Sequence, residues 1–168
     1  MTSLLAISLG TKTLMAGDGL VCLGSIQFQD AQPKVRRIGR TCWGAAGDAR
    51  ACDLAMSSSL PRWTGKDPYA WAVRRLVPWL AEQLEDDSGG EPSLELLMGV
   101  GGTLLFVDQH LAVVSPGPYF AAGSAAEVAL GALHASRHCA PVTQLRRAQD
   151  AVEELCSGVG GAWAVVEG

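Results

Sequence analysis

Three polar residues in the first part of the chain could form a nucleophilic site. Thr2 follows the first methionine, Asp18 lies in "AGDG", and Lys34 lies in "PKVRR". Removal of Met1 would leave Thr2 with a hydroxyl and a free α-amine, which are a nucleophile and a base on one residue. An α-amine has an ordinary pKa of about 7.7 to 8.0, so it can accept the hydroxyl proton near neutral pH without a histidine.

Asp18 and Lys34 complete this set because each is expected where a strand ends or begins. Glycines on both sides of Asp18 permit a sharp turn that would aim its carboxylate back at the chain terminus. An ammonium held there would lower the pKa of the neighbouring amine. Taken singly, the aspartate is typical of a turn and the lysine of an exposed strand edge. Taken together, the three residues favour a functional site at one end of one sheet.

The elements that must position these residues follow from apolar periodicity and turn signals. Strands are predicted at residues 3–7, 13–16, 21–24, 34–38 and 41–45, with two or three more inside 94–117 and a last one in "GGAWAVVEG". Helices are predicted at residues 48–59, 67–84 with a kink at Pro78, 124–134 and 141–155. A loose polar stretch is expected up to Pro33, and an exposed acidic loop at 85–93.

This order of strands, two helices, strands, two helices and strand predicts an α+β fold. Helices on both outer faces of two stacked antiparallel sheets would bury every apolar face, which gives a four-layer αββα sandwich. At 168 residues and 48% hydrophobic composition, one domain over residues 1–168 is expected.

Charge and composition exclude several classes of function. The net charge of −4 provides no basic surface for nucleic acid. The sequence shows neither a secretion signal nor an apolar run long enough for a membrane span, so a cytoplasmic location is expected. The five cysteines include no CxxC pair and suit a reducing compartment. His134, His138 and Cys139 are favoured as surface or helix-end residues over a zinc site.

Four segments of the chain resemble the threonine-type N-terminal nucleophile hydrolases, which include proteasome β-subunits and HslV. "TSLLAISLGTKTLMAGDGLVCLGS" is similar to the opening hairpin of that family, and "KVRRI" to its lysine strand. "GAAGDARA" is similar to the glycine turn before the first helix, and "PYFAAGSAAEVALGAL" to the glycine-serine start of the third. The spacing from Thr2 to Asp18 to Lys34 agrees with the family without gaps. A short bacterial proteasome homologue is the preferred relative.

The resemblance implies a role for each matching residue. Thr2 would be the nucleophile and its own amine the base, acting through a water. Lys34 would tune the electrostatics of the terminus and Asp18 would orient it. Gly47 would donate its backbone N–H to the tetrahedral oxyanion, and Ser124 would help to organise the amine and its water.

The resemblance also implies how substrate and a cation would bind. The backbone around Val21 and Cys22, with that of Gly47 and Ala49, would pair with an extended peptide as an added strand. Ala45 and Ala49 would line the pocket for the residue before the cut. No cofactor is required, but backbone carbonyls of three residues near the end of the last helix could hold a structural monovalent or divalent cation: Glu153, Cys156 and Val159.

The chain also departs from the family pattern. Cys22 stands where a threonine is frequent, and Ala125 and Ala126 stand where HslV-like chains have glycines. Cys156 and Val159 replace an aspartate and a serine that support the terminus in proteasome β-subunits. Such changes around a site can slow an enzyme strongly, so low activity is one expectation.

These observations favour a threonine-type endopeptidase subunit that assembles into a proteasome-like double ring of hexameric or heptameric rings. Peptides or proteins would be the substrates, and an unfoldase ATPase partner stays unidentified. The alternative is a catalytically weak or inactive ring scaffold of the same fold. A further alternative is an amidohydrolase acting on small molecules, because N-terminal nucleophile folds host both activities.

Overall fold

Two antiparallel sheets lie face to face in the computed structural model, which describes residues 1–84 and 93–168. One sheet has the strand order β10-β1-β2-β11, and the other has the order β5-β6-β7-β8-β9. Among the described residues, strands β3 and β4 pair only with each other. The strands are β1 Ser3–Ser8, β2 Thr13–Gly17, β3 Leu20–Leu23, β4 Ile26–Gln29, β5 Val35–Ile38, β6 Thr41–Gly47, β7 Leu94–Val100, β8 Thr103–Val107, β9 Val113–Val114, β10 Tyr119–Gly123 and β11 Ala164–Glu167.

Helices cover the outer face of each sheet. Helix α1 packs on β6 and helix α2 on β8, whereas α4 packs on β10 and α5 on β1. The helices are α1 Ala49–Ser57, α2 Pro68–Trp71, α3 Val77–Leu84, α4 Ala126–Ala135 and α5 Pro141–Leu155. These layers confirm the predicted αββα sandwich.

Alternation along the strands explains the three apolar layers. In β1, Leu5 and Ile7 face helices α4 and α5, whereas Leu4 and Ala6 face the second sheet. In β7, Leu96 and Met98 face the helices on the other side, and Leu97 faces the first sheet. Each of these side chains is at most 4% exposed, and full burial of a leucine, isoleucine or methionine side chain contributes about 1.5 to 3 kcal/mol. A shift of register by one residue would exchange these faces, so the pattern fixes the pairing.

The helix predicted at 67–84 is interrupted. A π-helical segment, Ala72–Leu76, separates α2 from α3. Pro78 follows this segment, and a proline can neither donate a helical hydrogen bond nor tolerate the carbonyl four residues before it. The π segment is the local rearrangement that accommodates this break.

Two strands were not predicted. β4 lies in the polar stretch that is expected to be loose. Its four residues are all exposed, so the strand has no buried face that an apolar pattern in the sequence could indicate. β10 occupies residues that the sequence predicts as the approach to a helix, and α4 begins at Ala126 instead of Ser124. The predicted acidic loop lies outside the described residues except for Ser93. None of the helices in the described part is long and apolar enough to cross a bilayer.

Candidate functional site

Thr2, Asp18 and Lys34 meet at one end of the sandwich. Thr2 precedes β1, Asp18 follows the last residue of β2, and Lys34 precedes β5. The Ser3 amide donates a 2.7 Å hydrogen bond to Oδ1 of Asp18, which fixes the carboxylate beside the residue that follows the threonine. The first hairpin and the strand that carries the lysine therefore bring the three predicted residues together.

A buried ion pair is the centre of this arrangement. The Lys34 ammonium lies 3.0 Å and 3.1 Å from the two carboxylate oxygens of Asp18. It also donates to the Leu20 carbonyl oxygen at 2.7 Å. Asp18 is fully buried and the Lys34 side chain is 13% exposed. Two charges removed from water in this way require both partners, because an unpaired buried charge is strongly destabilising.

The segment after α5 closes the back of the pair. The Gly160 amide donates to Oδ2 of Asp18 at 3.4 Å, and its carbonyl oxygen accepts from the amides of Gly19 and Leu20, both at 3.1 Å. Gly160 has φ 131°, which a side chain would not tolerate without strain. The C-terminal part of the chain is therefore needed to hold the aspartate turn.

Ser124, the residue after β10, contacts the backbone of Thr2. Its hydroxyl accepts from the Thr2 nitrogen at 3.3 Å and donates to the Thr2 carbonyl oxygen at 3.3 Å. Lys34 reaches the same point from the other side, since its ammonium donates to the Met1 carbonyl oxygen at 3.1 Å. With Met1 in place the Thr2 nitrogen is an amide, which has no free electron pair to act as a base. Removal of Met1 is therefore a chemical requirement for the Thr2 nitrogen to act as a base.

The backbone at the end of β6 supplies a further part of the site. Gly47 has φ 125°, and a Cβ at this position would collide with the Ser93 carbonyl. Asp48 follows as the cap of α1, with its carboxylate accepting from the Ala51 amide at 3.0 Å. Amides at a helix start favour a negative charge. A Cβ built on Gly123 would lie 3.3 Å from Cβ of Ala46, so the end of β6 adjoins the end of β10.

The predicted substrate-binding residues fall into two groups. Val21 and Cys22 are half-buried in β3, and Ala49 is exposed at the start of α1. Ala45 is 4% exposed and packs in the core under the helices, so its side chain does not reach the surface. The Met1 side chain lies over Gly158, where Cys22 also packs.

The residues proposed for a cation lie around the end of α5. Glu153 is in the last turn of the helix and accepts from the indole nitrogen of Trp163. Cys156 follows the helix, and Val159 is buried in the next turn. The last carbonyls of a helix have no partner within the helix, and carbonyl oxygens suit a hard cation. No group of three or more histidine, cysteine or acidic side chains that could hold a metal occurs within 1–84 and 93–168.

Sequence reasoning missed Glu95. This β7 residue accepts a 2.9 Å hydrogen bond from the Gly123 amide with its Oε2 atom. The signal was present in the sequence, because Glu95 is the one charged residue in the strand "LELLMGV", which is otherwise buried. Its partner lies on β10, which was not predicted.

Comparison with solved structures places this geometry in a known fold. No protein-family model and no curated protein matches the sequence. BPH, a beta-proteasome homologue of Thiobacillus denitrificans, has been solved in complex with epoxomicin. That structure is 18% identical with a TM-score of 0.78, over 99% of this chain and 97% of that chain. A second BPH structure is 20% identical with a TM-score of 0.75 over the same shares.

The eukaryotic HslV from Trypanosoma brucei is also similar. It is 18% identical with a TM-score of 0.72, and the match covers 98% of each chain. The chain thus has the proteasome and HslV type of N-terminal nucleophile hydrolase fold, which confirms the predicted resemblance. At this level of identity the likeness establishes the fold, and function has to be argued from the site.

Proposed function

We propose that this protein is a threonine-type peptidase whose nucleophile is the Thr2 hydroxyl after Met1 has been removed. The observation that carries the proposal is the joint contact of Lys34 with the buried carboxylate of Asp18 and with the carbonyl of the residue before Thr2. An ammonium at that position would keep the new α-amine unprotonated near neutral pH. No histidine is needed in such a site.

The reaction proceeds in two stages. The α-amine takes the hydroxyl proton through a water while Oγ of Thr2 bonds to the carbonyl carbon of the substrate. The Gly47 N–H stabilises the resulting oxyanion. Collapse breaks the carbon–nitrogen bond, the leaving amine receives the proton, and an ester to Thr2 remains. A water then gives its proton to the α-amine and attacks the ester, which releases a carboxylic acid and restores the hydroxyl.

Extended peptides suit this site better than compact small amides. Val21 and Cys22 lie on a two-stranded ribbon, and Gly47 and Ala49 lie at the end of β6 and the start of α1. A peptide added as a strand between them would present its carbonyl to Thr2. A cation on the carbonyls of Glu153, Cys156 and Val159 would order the segment that leads to Gly160, without taking part in any step.

Assembly into a double ring in the cytoplasm is part of the proposal. A protease that recognises backbone must be kept from folded proteins, and closed cyclic symmetry supplies a chamber. Hexameric and heptameric rings both satisfy this requirement, and an unfoldase ATPase would supply unfolded chains. Counting the subunits of each ring by electron microscopy distinguishes hexameric from heptameric rings.

The test combines the state of the terminus with turnover. Mass spectrometry of the purified protein should show that Met1 is absent. A threonine-directed epoxyketone should then add to Thr2, and fluorogenic peptides should be cleaved. Thr2→Ala, which leaves the ion pair intact, should lose both signals. A trimmed protein that is neither labelled nor active would favour the ring scaffold, and turnover of small amides alone would favour an amidohydrolase.

A further inference from the structure

Glu95 is a carboxylate in an unusual position. Its neighbours Leu94 and Leu96 are buried, yet Glu95 itself is only half-buried. In the register of the sheet it lies opposite Ala46, whose side chain belongs to the layer between the two sheets. The carboxylate therefore lies at the mouth of that layer, next to the end of β6. Charged side chains in such places are found with partners.

The partner of Glu95 is the residue before Ser124. Oε2 accepts from the Gly123 amide at 2.9 Å, and a hydrogen bond from an amide to a carboxylate is stronger than one between neutral groups. Gly123 has φ 90°. Because glycine adopts many backbone conformations, another contact is needed to hold it in this one. A Cβ on Gly123 would collide with the Thr2 carbonyl, so the turn is pressed against the terminus.

This contact continues to the threonine. Ser124 makes two hydrogen bonds of 3.3 Å to the backbone of Thr2, and both depend on the turn that Gly123 begins. Ser124 is exposed, so the packing of its own side chain does not fix it. The chain of contacts runs from Glu95 through the Gly123 amide and Ser124 to Thr2.

We propose that Glu95 is a positioning residue that holds Ser124 against Thr2 through the Gly123 amide. The inference rests on the proposed function for its effect on the reaction. The required property of Glu95 is an acceptor oxygen at the right distance. Glutamine offers the same oxygen without the charge, whereas alanine offers none. The two substitutions therefore separate the hydrogen bond from the charge.

The experiment makes two kinds of measurement on the unmodified protein and on three variants: Glu95→Ala, Glu95→Gln and the control Glu82→Ala, an exposed residue on α3. The first is the saturating rate and half-saturation concentration for labelling of Thr2 by an epoxyketone. The second is hydrogen–deuterium exchange of the Gly123 amide. We expect Glu95→Ala to lower the saturating rate about 10- to 100-fold with little change in half-saturation. Exchange at Gly123 should accelerate in the same variant.

Recovery by the conservative variant is the decisive comparison. Glu95→Gln should label within about threefold of the unmodified chain and keep the Gly123 amide protected, because the acceptor is present. If Glu95→Ala is labelled at the unmodified rate, or if Glu95→Gln is as slow as Glu95→Ala, the inference is overturned while the proposed function stands. If even the unmodified protein is not labelled, the proposed function fails, and hydrogen–deuterium exchange of the Gly123 amide alone tests the inference about Glu95. Faster exchange in Glu95→Ala then supports the positioning contact, and unchanged exchange overturns it.

Discussion

Replacing Lys34 by methionine tests the ion pair at the centre of the site. The substitution keeps an unbranched stem but removes the ammonium that contacts both carboxylate oxygens of Asp18. The fully buried carboxylate would retain the Ser3 amide at 2.7 Å and the distant Gly160 amide at 3.4 Å. A buried carboxylate with two neutral donors is left with much of its desolvation uncompensated.

The size of the effect follows from burial. Removal of one partner of a buried pair costs about 3 to 5 kcal/mol. The Lys34 side chain is 13% exposed, so in the variant water can approach the side of the carboxylate that the ammonium has left. The loss of stability is therefore expected at the lower end of this range, about 3 kcal/mol. For a domain of this size each kcal/mol shifts Tm by about 2 to 4 °C, so Tm should fall by roughly 6 to 12 °C.

A double variant separates stability from chemistry. Asp18→Asn combined with Lys34→Met removes both charges, so most of the lost stability should return, about 2 kcal/mol of the 3. Urea unfolding of the four proteins of this cycle, at one protein concentration, gives the coupling energy. Peptide hydrolysis should be absent from both single variants and from the double variant, because the proposed chemistry requires the ammonium itself.

Two results would refute this reasoning. A loss below about 1 kcal/mol in Lys34→Met would mean that the carboxylate does not depend on the ammonium. Peptide hydrolysis by the double variant would mean that neither charge takes part in the reaction. Recovery of stability without recovery of hydrolysis is the expected pattern.

Three further outcomes are expected. Thr2→Ala should abolish peptide cleavage while changing the free energy of unfolding by no more than about 0.5 kcal/mol, and Thr2→Ser should keep some cleavage. Gly47→Ala should destabilise by more than about 2 kcal/mol in urea unfolding because of φ 125° and the Ser93 carbonyl. The control variant Gly24→Ala, at a glycine with φ 61° and open space where a Cβ would lie, should lose only about 1 kcal/mol. Equal losses in the two variants would contradict the role of the Ser93 carbonyl. Burial raises the pKa of the Cys42 thiol from 9.0 to about 11. Between pH 9 and 11 the thiol ionises in the unfolded chain but stays protonated in the folded one, so the free energy of unfolding should fall over this range. Urea unfolding midpoints measured across this pH range should fall less in Cys42→Ala. An identical pH dependence in the two proteins would be evidence against a contribution from Cys42.

Local patterns in the sequence predicted much of the fold. Helix α5 occurs at the predicted bounds, Pro141–Leu155, because its apolar residues repeat at helical spacing after a proline. Asp48 caps α1 as predicted, with its carboxylate on the Ala51 amide. The turn between β1 and β2 is closed by a 2.7 Å hydrogen bond from the Leu9 amide to Lys12, at the predicted position. These features depend on neighbours along the chain, which a single sequence displays.

The sequence by itself also determined which residue types could do chemistry: a threonine next to the first methionine, an aspartate between glycines and a lysine before a strand. Tertiary structure decided what surrounds them. β1 pairs with β10, and β2 pairs with β11, across more than a hundred residues. These pairings bring Ser124 and Gly160 to the terminus, and the packing of β7 against β10 brings Glu95 there. Pairing between distant strands is fixed by burial of whole faces and not by any local pattern, so only the folded chain could assign these contacts.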